Sequence, residues 1–574
     1  MSPGRAISPR ARWALFGAQL AALIAILIIT NPGVSERLTV ILTINERWWL
    51  VVPIFLTLWA AGLVALAATI LLPNIWARAF WALVIALSGA IGFGFYLVSQ
   101  TELSIFDVVS LWNARHEAGR AVAFYQSSLA GAAAIFVVTL IVLVLPPPPL
   151  RGFARARRWL VVVPLVPIVL YAGLIVYRGG DGSRALPAQF APISIGALAA
   201  NKIATNTMPQ REEVPWTAGR AQTKHIVLLV DESIRADFID WRQGNRYTPQ
   251  IAGHQDRVVN FGPAASGGNC SHYANAILRF GGTRHALTQT MLTNATLWRY
   301  AKQAGYRTVF IDAQAAFMRN GGYSGKFQNF MSAEEAADID DFHALSGEAY
   351  ELDDKLLDVV LKDLRDDQPV FIYAVKNGAH FPYDADYPEG AAEFRPTMAE
   401  RGRDDPQARL NSYRNAIRWN VDRFFARLFS EADLRNSAII YTSDHGQNLE
   451  PKKLTHCSIE KPAAVEGLVP LLAITDDAAL KAKFASAAQD SFGHASHFSI
   501  APTLLQLFGY PGTQVASRYG TSMFEPNREP AAFTSGDVFG LFSDKVRWHP
   551  IDLLSAAAGQ ARAEAKPGGG KVAR

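Results

Sequence analysis

Five apolar runs open the chain, at residues 13–30, 49–72, 79–98, 121–145 and 159–177. Each is close to the ~20 residues that an α-helix needs to cross about 30 Å of hydrocarbon. A secretory signal accounts for the first run alone, and no small-residue cleavage site follows it. Five such spans in succession do not suit the buried helices of a soluble protein, so residues 1–178 read as a five-helix transmembrane bundle. Arginine placement orients it. Arg5, Arg10 and Arg12 precede the first span, Arg78 follows the second, and Arg151, Arg155, Arg157 and Arg158 follow the fourth. The opposite loops hold Arg37, Arg47, Arg115 and Arg120. The first set marks the cytoplasmic side, which leaves everything after Tyr177 outside. For a bacterium this predicts a multi-pass inner-membrane protein whose remaining domain lies in the periplasm, an oxidising compartment. Between spans, Pro146 to Pro149 predict a stiff corner. The loop 100–120 has helical spacing and suits either a helix on the membrane surface or an ordinary loop helix.

Residues 179–224 are rich in Gly, Pro, Ala and polar side chains and read as a linker, with a short helix at 193–205. Beyond it the pattern changes. A run of five apolar residues at 226–230, flanked by polar ones, suits a strand buried on both faces. Further strands are predicted at 308–312, 370–375 and 438–442, alternating with helices at 293–304, 352–364, 410–428 and 500–507. That alternation predicts a doubly wound α/β sheet over residues 225–554. Residues 555–574 hold too little apolar content to fold and read as a disordered tail.

Composition changes this picture little. Hydrophobic residues make up 50% and charged ones 18%, which matches a membrane protein, and the net charge of +5 is small for 574 residues. No basic stripe interleaved with aromatics points to nucleic acid. The two cysteines, Cys270 and Cys457, allow one disulfide or two free thiols.

Candidate chemistry gathers after the predicted strands, where open α/β sheets bind ligands. The strand at 226–230 runs into Asp231-Glu232-Ser233. The strand at 438–442 runs into Ser443-Asp444-His445-Gly446. His380 follows the strand at 370–375, and His456 lies in Leu454-Thr-His-Cys457. Carboxylate and imidazole ligands suit zinc. An isolated His is more often a surface or core residue, so the joint occurrence on separate strands of one sheet carries the reading. Ser271 lies before an expected helix near Tyr273, where the N-terminal dipole favours an anion or phosphate. Taken alone, helix capping is the simpler account of that serine.

The order of parts resembles the membrane-anchored phosphoethanolamine transferases of the alkaline phosphatase and sulfatase superfamily, typified by those that modify lipid A. That family's Gly-Glu-Thr-x-Arg-Ala is similar to Asp231-Glu-Ser-Ile-Arg-Ala236, and its Arg-x-Thr-x-Pro loop to Asn245-Arg-Tyr-Thr-Pro249. Ser-Asp-His-Gly is intact at Ser443–Gly446. Gly-Ser-His-Gly-Pro is similar to Gly378-Ala-His-Phe-Pro382, and Leu-His-Gly to Leu454-Thr-His456. The resemblance implies Glu232, Asp444 and His445 as metal ligands, and His380 and His456 as residues facing the substrate. The usual Cys-Gly-Thr nucleophile motif lines up with Asn269-Cys-Ser271, so Ser271 takes the nucleophile's place and joins the metal ligands. Cys270 competes, because sulfatases use a modified Cys, but their Cys-x-Pro-Ser-Arg signature is absent. With Ser271 as nucleophile, Cys270 is left to pair with Cys457; two buried thiols are the alternative. The family's several disulfides cannot form with two cysteines, and a second substrate-site His is replaced by Val375. Arg319 and Lys326 are candidates for a phosphate-binding cation, and His497 resembles a further site position.

The resemblance implies Zn2+ at one tight site, with His380 and His456 able to hold a second metal, steady phosphoryl oxygens or move a proton. It also implies phosphatidylethanolamine as donor and lipid A, another envelope glycolipid or a glycan as acceptor, through a covalent phospho-enzyme. A membrane-tethered hydrolase, a phosphoglycerol transferase and a non-catalytic membrane protein are the competing readings.

Overall fold

The computed structural model describes residues 9–44, 47–113, 122, 125–146, 158–205, 209–314, 333–451, 453–459, 461–542 and 546–558. The prolines 147–149, Arg151, Arg155, Arg157, Arg319 and Lys326 lie outside them. The chain divides into two units, residues 1–206 with 541–543, and residues 207–540 with 544–574.

Five helices of the first unit are long and apolar enough to cross a membrane: Trp13–Thr30, Trp48–Leu71, Ile75–Ser99, Gln126–Val144 and Trp159–Tyr177. The last begins as a 3₁₀ turn, Arg158–Val162, and becomes α-helical only at Leu165–Tyr177, after Pro164. Small residues let the third and fourth spans pack closely. A Cβ at Gly94 would lie 3.1 Å from that of Ala132. Two short helices fill the outer loops, Val34–Ile44 and Ile105–Asn113; Ile105 and Phe106 of the second are buried, so this helix is packed rather than free. The helix predicted at 193–205 runs Ala191–Thr205 and belongs to the first unit. Ser88 of the third span ties it down, accepting from Ile193 N at 3.3 Å and donating to Ala188 O at 3.1 Å.

The second unit is built on an eight-stranded sheet of β1 (His225–Asp231), β2 (Val258–Ala265), β3 (Arg307–Asp312), β4 (Asp341–Ala344), β5 (Val370–Val375), β6 (Ser437–Ser443), β7 (Leu468–Ile474) and β8 (Ala495–Ser496), ordered β4-β3-β5-β1-β6-β7-β2-β8. The four strands expected from apolar runs are β1, β3, β5 and β6, and they are adjacent and parallel. All seven residues of β1 are buried, and each fully buried Val, Leu or Ile contributes about 1.5–3 kcal/mol. The sheet departs from the expected doubly wound pattern at one strand. β7 runs antiparallel to both β6 and β2, so the sheet is mixed. A small hairpin, β9 (Ala532–Ser535) with β10 (Arg547–Pro550), lies apart from it.

Two helices differ from expectation. The one read at 293–304 is two short helices, Leu287–Thr293 and Leu297–Gln303. The one read at 410–428 runs Pro406–Ile417, passes through a π-turn at Arg418–Asp422 and continues as Arg423–Glu431. At the C-terminal end, residues 553–558 are helical.

Candidate active site

Because β3, β5, β1 and β6 are parallel and in register, their carboxyl ends open on one edge. Val230 pairs with Val375, Asp231 with Ser443, and Asp312 with Val375. The residue after each strand therefore reaches the same place, and that is how segments far apart in sequence meet.

At this edge Glu232, Asp444 and His445 are fully buried and offer ligand atoms within 4.8 Å of one another. Each is held by its neighbours. Asp444 Oδ1 accepts from the backbone N–H of Ser233 (3.0 Å) and of His445 (2.7 Å), which leaves Oδ2 with no hydrogen-bond partner. Glu232 Oε1 accepts from Ser233 Oγ at 2.7 Å. His445 Nδ1 lies 2.7 Å from the carbonyl of Gly446. A carbonyl only accepts, so Nδ1 carries the proton and Nε2 turns a lone pair toward the carboxylates. Glu232 Oε1 lies 3.4 Å from Nε2, and Asp444 Oδ2 lies 3.5 Å from it.

Ser271 enters this cluster from the first turn of helix Ser271–Phe280. Its Oγ is 3.2 Å from Glu232 Oε2 and 3.1 Å from His445 Nε2. Both neighbours accept, and the hydroxyl has one proton to give. The helix cap is Cys270, not Ser271, so capping does not explain the serine. Cys270 is bonded to Cys457 and has no thiol to offer as a competing nucleophile. Cys457 N–H also donates to Asn269 O at 2.7 Å, so the bond fastens the Ser271 loop to the segment carrying His456.

The site therefore holds more lone pairs than protons. Burial, and then the neighbouring Asp444, push the Glu232 carboxyl up to about 7. Burial pushes Asp444 up to about 6, against its hydrogen bonds, and lowers His445. An unpartnered buried carboxylate oxygen, a second carboxylate and an imidazole lone pair are a donor set that a zinc ion fits.

The two other predicted histidines border the cluster. The His456 ring stacks on His445 with centroids 4.4 Å apart, and His380 lies 6.4 Å from His456. His497 is not at the site. Its Nδ1 accepts from Gly267 N–H (3.0 Å) and its Nε2 meets Thr442 Oγ1 (3.0 Å), so it braces the Ser271 loop against β6 from behind. His494 is exposed.

Sequence reading passed over three neighbours. Gln314, just after β3, donates from Nε2 to Glu232 Oε2 at 3.1 Å. Gln447 places Oε1 3.3 Å from His456 Nδ1 and donates from Nε2 to Tyr383 Oη at 2.8 Å. Gln314 follows the same strand-end rule as Glu232, but an amide is outside the residue types sought for metal.

Comparison with known proteins bears on this geometry. The sulfatase family model matches residues 224–510, half of the chain. "Putative transferase YhbX" of Escherichia coli (strain K12) is 27% identical over 232 residues, which is 40% of this chain and only 38% of that protein's length. Among solved structures, the integral membrane protein lipooligosaccharide phosphoethanolamine transferase A (EptA) from Neisseria meningitidis overlaps 90% of this chain and 99% of its own, at TM-score 0.63 and 16% identity. The C-terminal periplasmic domain of EptC from Escherichia coli, in complex with Zn, overlaps 60% of this chain and 97% of its own, at TM-score 0.45 and 19% identity. The likeness to EptA extends through the membrane helices and shows a shared fold.

Proposed function

The chain belongs to the sulfatase family, and from that premise we propose that it transfers phosphoethanolamine from phosphatidylethanolamine to lipid A or another envelope glycolipid or glycan. The family match, the five spans and the fold make it a membrane-embedded transferase of sulfatase type with its catalytic domain in the periplasm. The Ser271 hydroxyl, set between Glu232 and His445, is the observation that supports transfer through a covalent intermediate. A zinc ion held by Glu232, Asp444 and His445 would lower the pKa of that hydroxyl and draw charge from a phosphoryl oxygen.

Ser271 Oγ attacks the phosphorus of the donor lipid. The Oγ–P bond forms as the bond to the diacylglycerol oxygen breaks, and the serine proton passes to the departing alkoxide. His380 or His456, both beside the cluster, carries that proton or steadies the phosphoryl oxygens. An acceptor hydroxyl or phosphate oxygen then attacks the same phosphorus; its O–P bond forms as the Oγ–P bond breaks, and the acceptor's proton returns to Ser271 Oγ. Gln447, itself anchored on Tyr383, holds His456, while Gln314 holds Glu232.

The test reconstitutes the full-length protein in vesicles containing phosphatidylethanolamine and a lipid A acceptor, with and without chelator. Diacylglycerol release matched by modified acceptor, both lost on chelation, supports the reading. Free phosphoethanolamine with no modified acceptor would make the protein a hydrolase instead.

A further inference from the structure

Behind Glu232 lies a second set of charges that the transfer reaction does not touch. Successive residues at the end of β1 point to opposite sides, so Asp231 turns into the interior as Glu232 turns into the site. There Asp231 Oδ2 accepts from Lys376 Nζ at 2.6 Å and from Tyr441 Oη at 2.9 Å. The same ammonium donates to Asn420 O at 2.7 Å, in the π-turn, and lies 3.5 Å from Asp353 Oδ2. Lys376 and Asp231 are fully buried and Asp353 nearly so. One cation thus stands between two carboxylates, out of water, where each ion costs several kcal/mol to desolvate and depends on its partners.

Two paths lead from this cluster to the site. Glu232 N–H donates to Asp231 Oδ1 at 3.2 Å. Asp353 accepts from the N–H groups of Asn377 (2.7 Å) and Gly378 (3.3 Å), which begin the loop to His380, and Ala379 N–H donates to Glu232 O at 3.0 Å. The loop and β1 are pressed together here. A Cβ at Gly378 would lie 2.4 Å from Glu232 O and 2.5 Å from Asp231 Oδ1.

We propose that Lys376 is a positioning residue for the metal site, fixing the Glu232 carboxylate on one side and the His380 loop on the other through Asp231 and Asp353. This rests on the reading of Glu232 as a metal ligand. Lys376 itself touches neither metal nor substrate. Without its charge, Asp231 and Asp353 lose their common partner and shift, and the Glu232 backbone and the His380 loop shift with them.

The experiment titrates the metal-free full-length protein in detergent with cobalt(II), reading affinity and the visible ligand-field bands. It compares wild type, Glu232→Gln, Lys376→Met and the double variant Asp231→Asn/Lys376→Met. Loss of an outer partner of a metal ligand typically weakens binding 10–100-fold. Lys376 stands one step further out, behind Asp231, so Lys376→Met should fall at the lower end, about tenfold, with altered bands. The double variant, which neutralises Asp231 but leaves Asp353 without its cation, should recover part of the loss. Wild-type affinity and bands in Lys376→Met would overturn the proposal. So would a double variant no better than the single one, or one that does not fold. A wild-type protein that binds no cobalt would overturn the reading of the site and this inference together, whereas loss in Glu232→Gln with none in Lys376→Met would remove this inference alone.

Discussion

Ser271 has one proton and two acceptors within 3.2 Å, and that imbalance is the chemical content of the site. Replacing it by alanine removes the proposed nucleophile and leaves Glu232, Asp444 and His445 in place. Ser271→Ala should therefore reduce lipid transfer to background while bound zinc persists after dialysis; loss of metal together with activity would mean that the serine is mainly a ligand. The two carboxyls proposed to hold the metal also bind protons. Their pKa values in the metal-free protein, about 7 for Glu232 and about 6 for Asp444, lie above the ordinary carboxylate range. Below pH 6 to 7 a metal ion must displace those protons, and above that range it does not. Zinc affinity should thus be full above about pH 8 and weaken on acidification, by up to about tenfold per pH unit for each proton displaced. Calorimetry between pH 6 and 8 checks this, and a flat profile contradicts it. At this scale Glu232, Asp444 and His445 were legible because acids and imidazoles at strand ends are an unusual pattern. Lys376 was not, since its role depends on β5 lying beside β1, which no local pattern states.

Between residue and molecule, the elements fix how the site is held. The Cys270–Cys457 bond closes a sequence separation of 187 residues and joins the nucleophile loop to the His456 segment. Cys457→Ala should cost about 2–4 kcal/mol in stability, read as a lowered Tm, and the wild-type protein should take up thiol label only after reduction. Gly378 has φ +60° and no room for a methyl group against Glu232 O. Gly378→Ala should lower stability by at least about 1–2 kcal/mol and release zinc, and an unchanged Tm would contradict the packing described. The parallel strands were legible because a strand buried on both faces is a short unbroken apolar run. The reversed direction of β7 and the π-turn at 418–422 were not: hydropathy carries no sense of strand direction, and a π-turn shifts the helical phase by only one residue.

For the whole molecule, five spans keep the protein in the bilayer, the layer that holds the proposed phospholipid donor. The spans were the most legible feature, since ~20 apolar residues in a row have few other uses. Removing residues 1–206 should leave zinc binding within about threefold of the full chain, because Glu232, Asp444 and His445 all lie in the second unit, and should abolish transfer from vesicle-embedded donor. Equal transfer with and without the spans would deny them any part in donor access. The proposed transfer requires a phosphoryl group to pass through Ser271. The most direct measurement is the intact mass of full-length, zinc-loaded protein incubated with phosphatidylethanolamine and no acceptor, followed by peptide mapping. The expected result is a single phosphoethanolamine adduct on Ser271 that disappears when acceptor is added. An adduct that survives Ser271→Ala, or undiminished transfer by that variant, would contradict it.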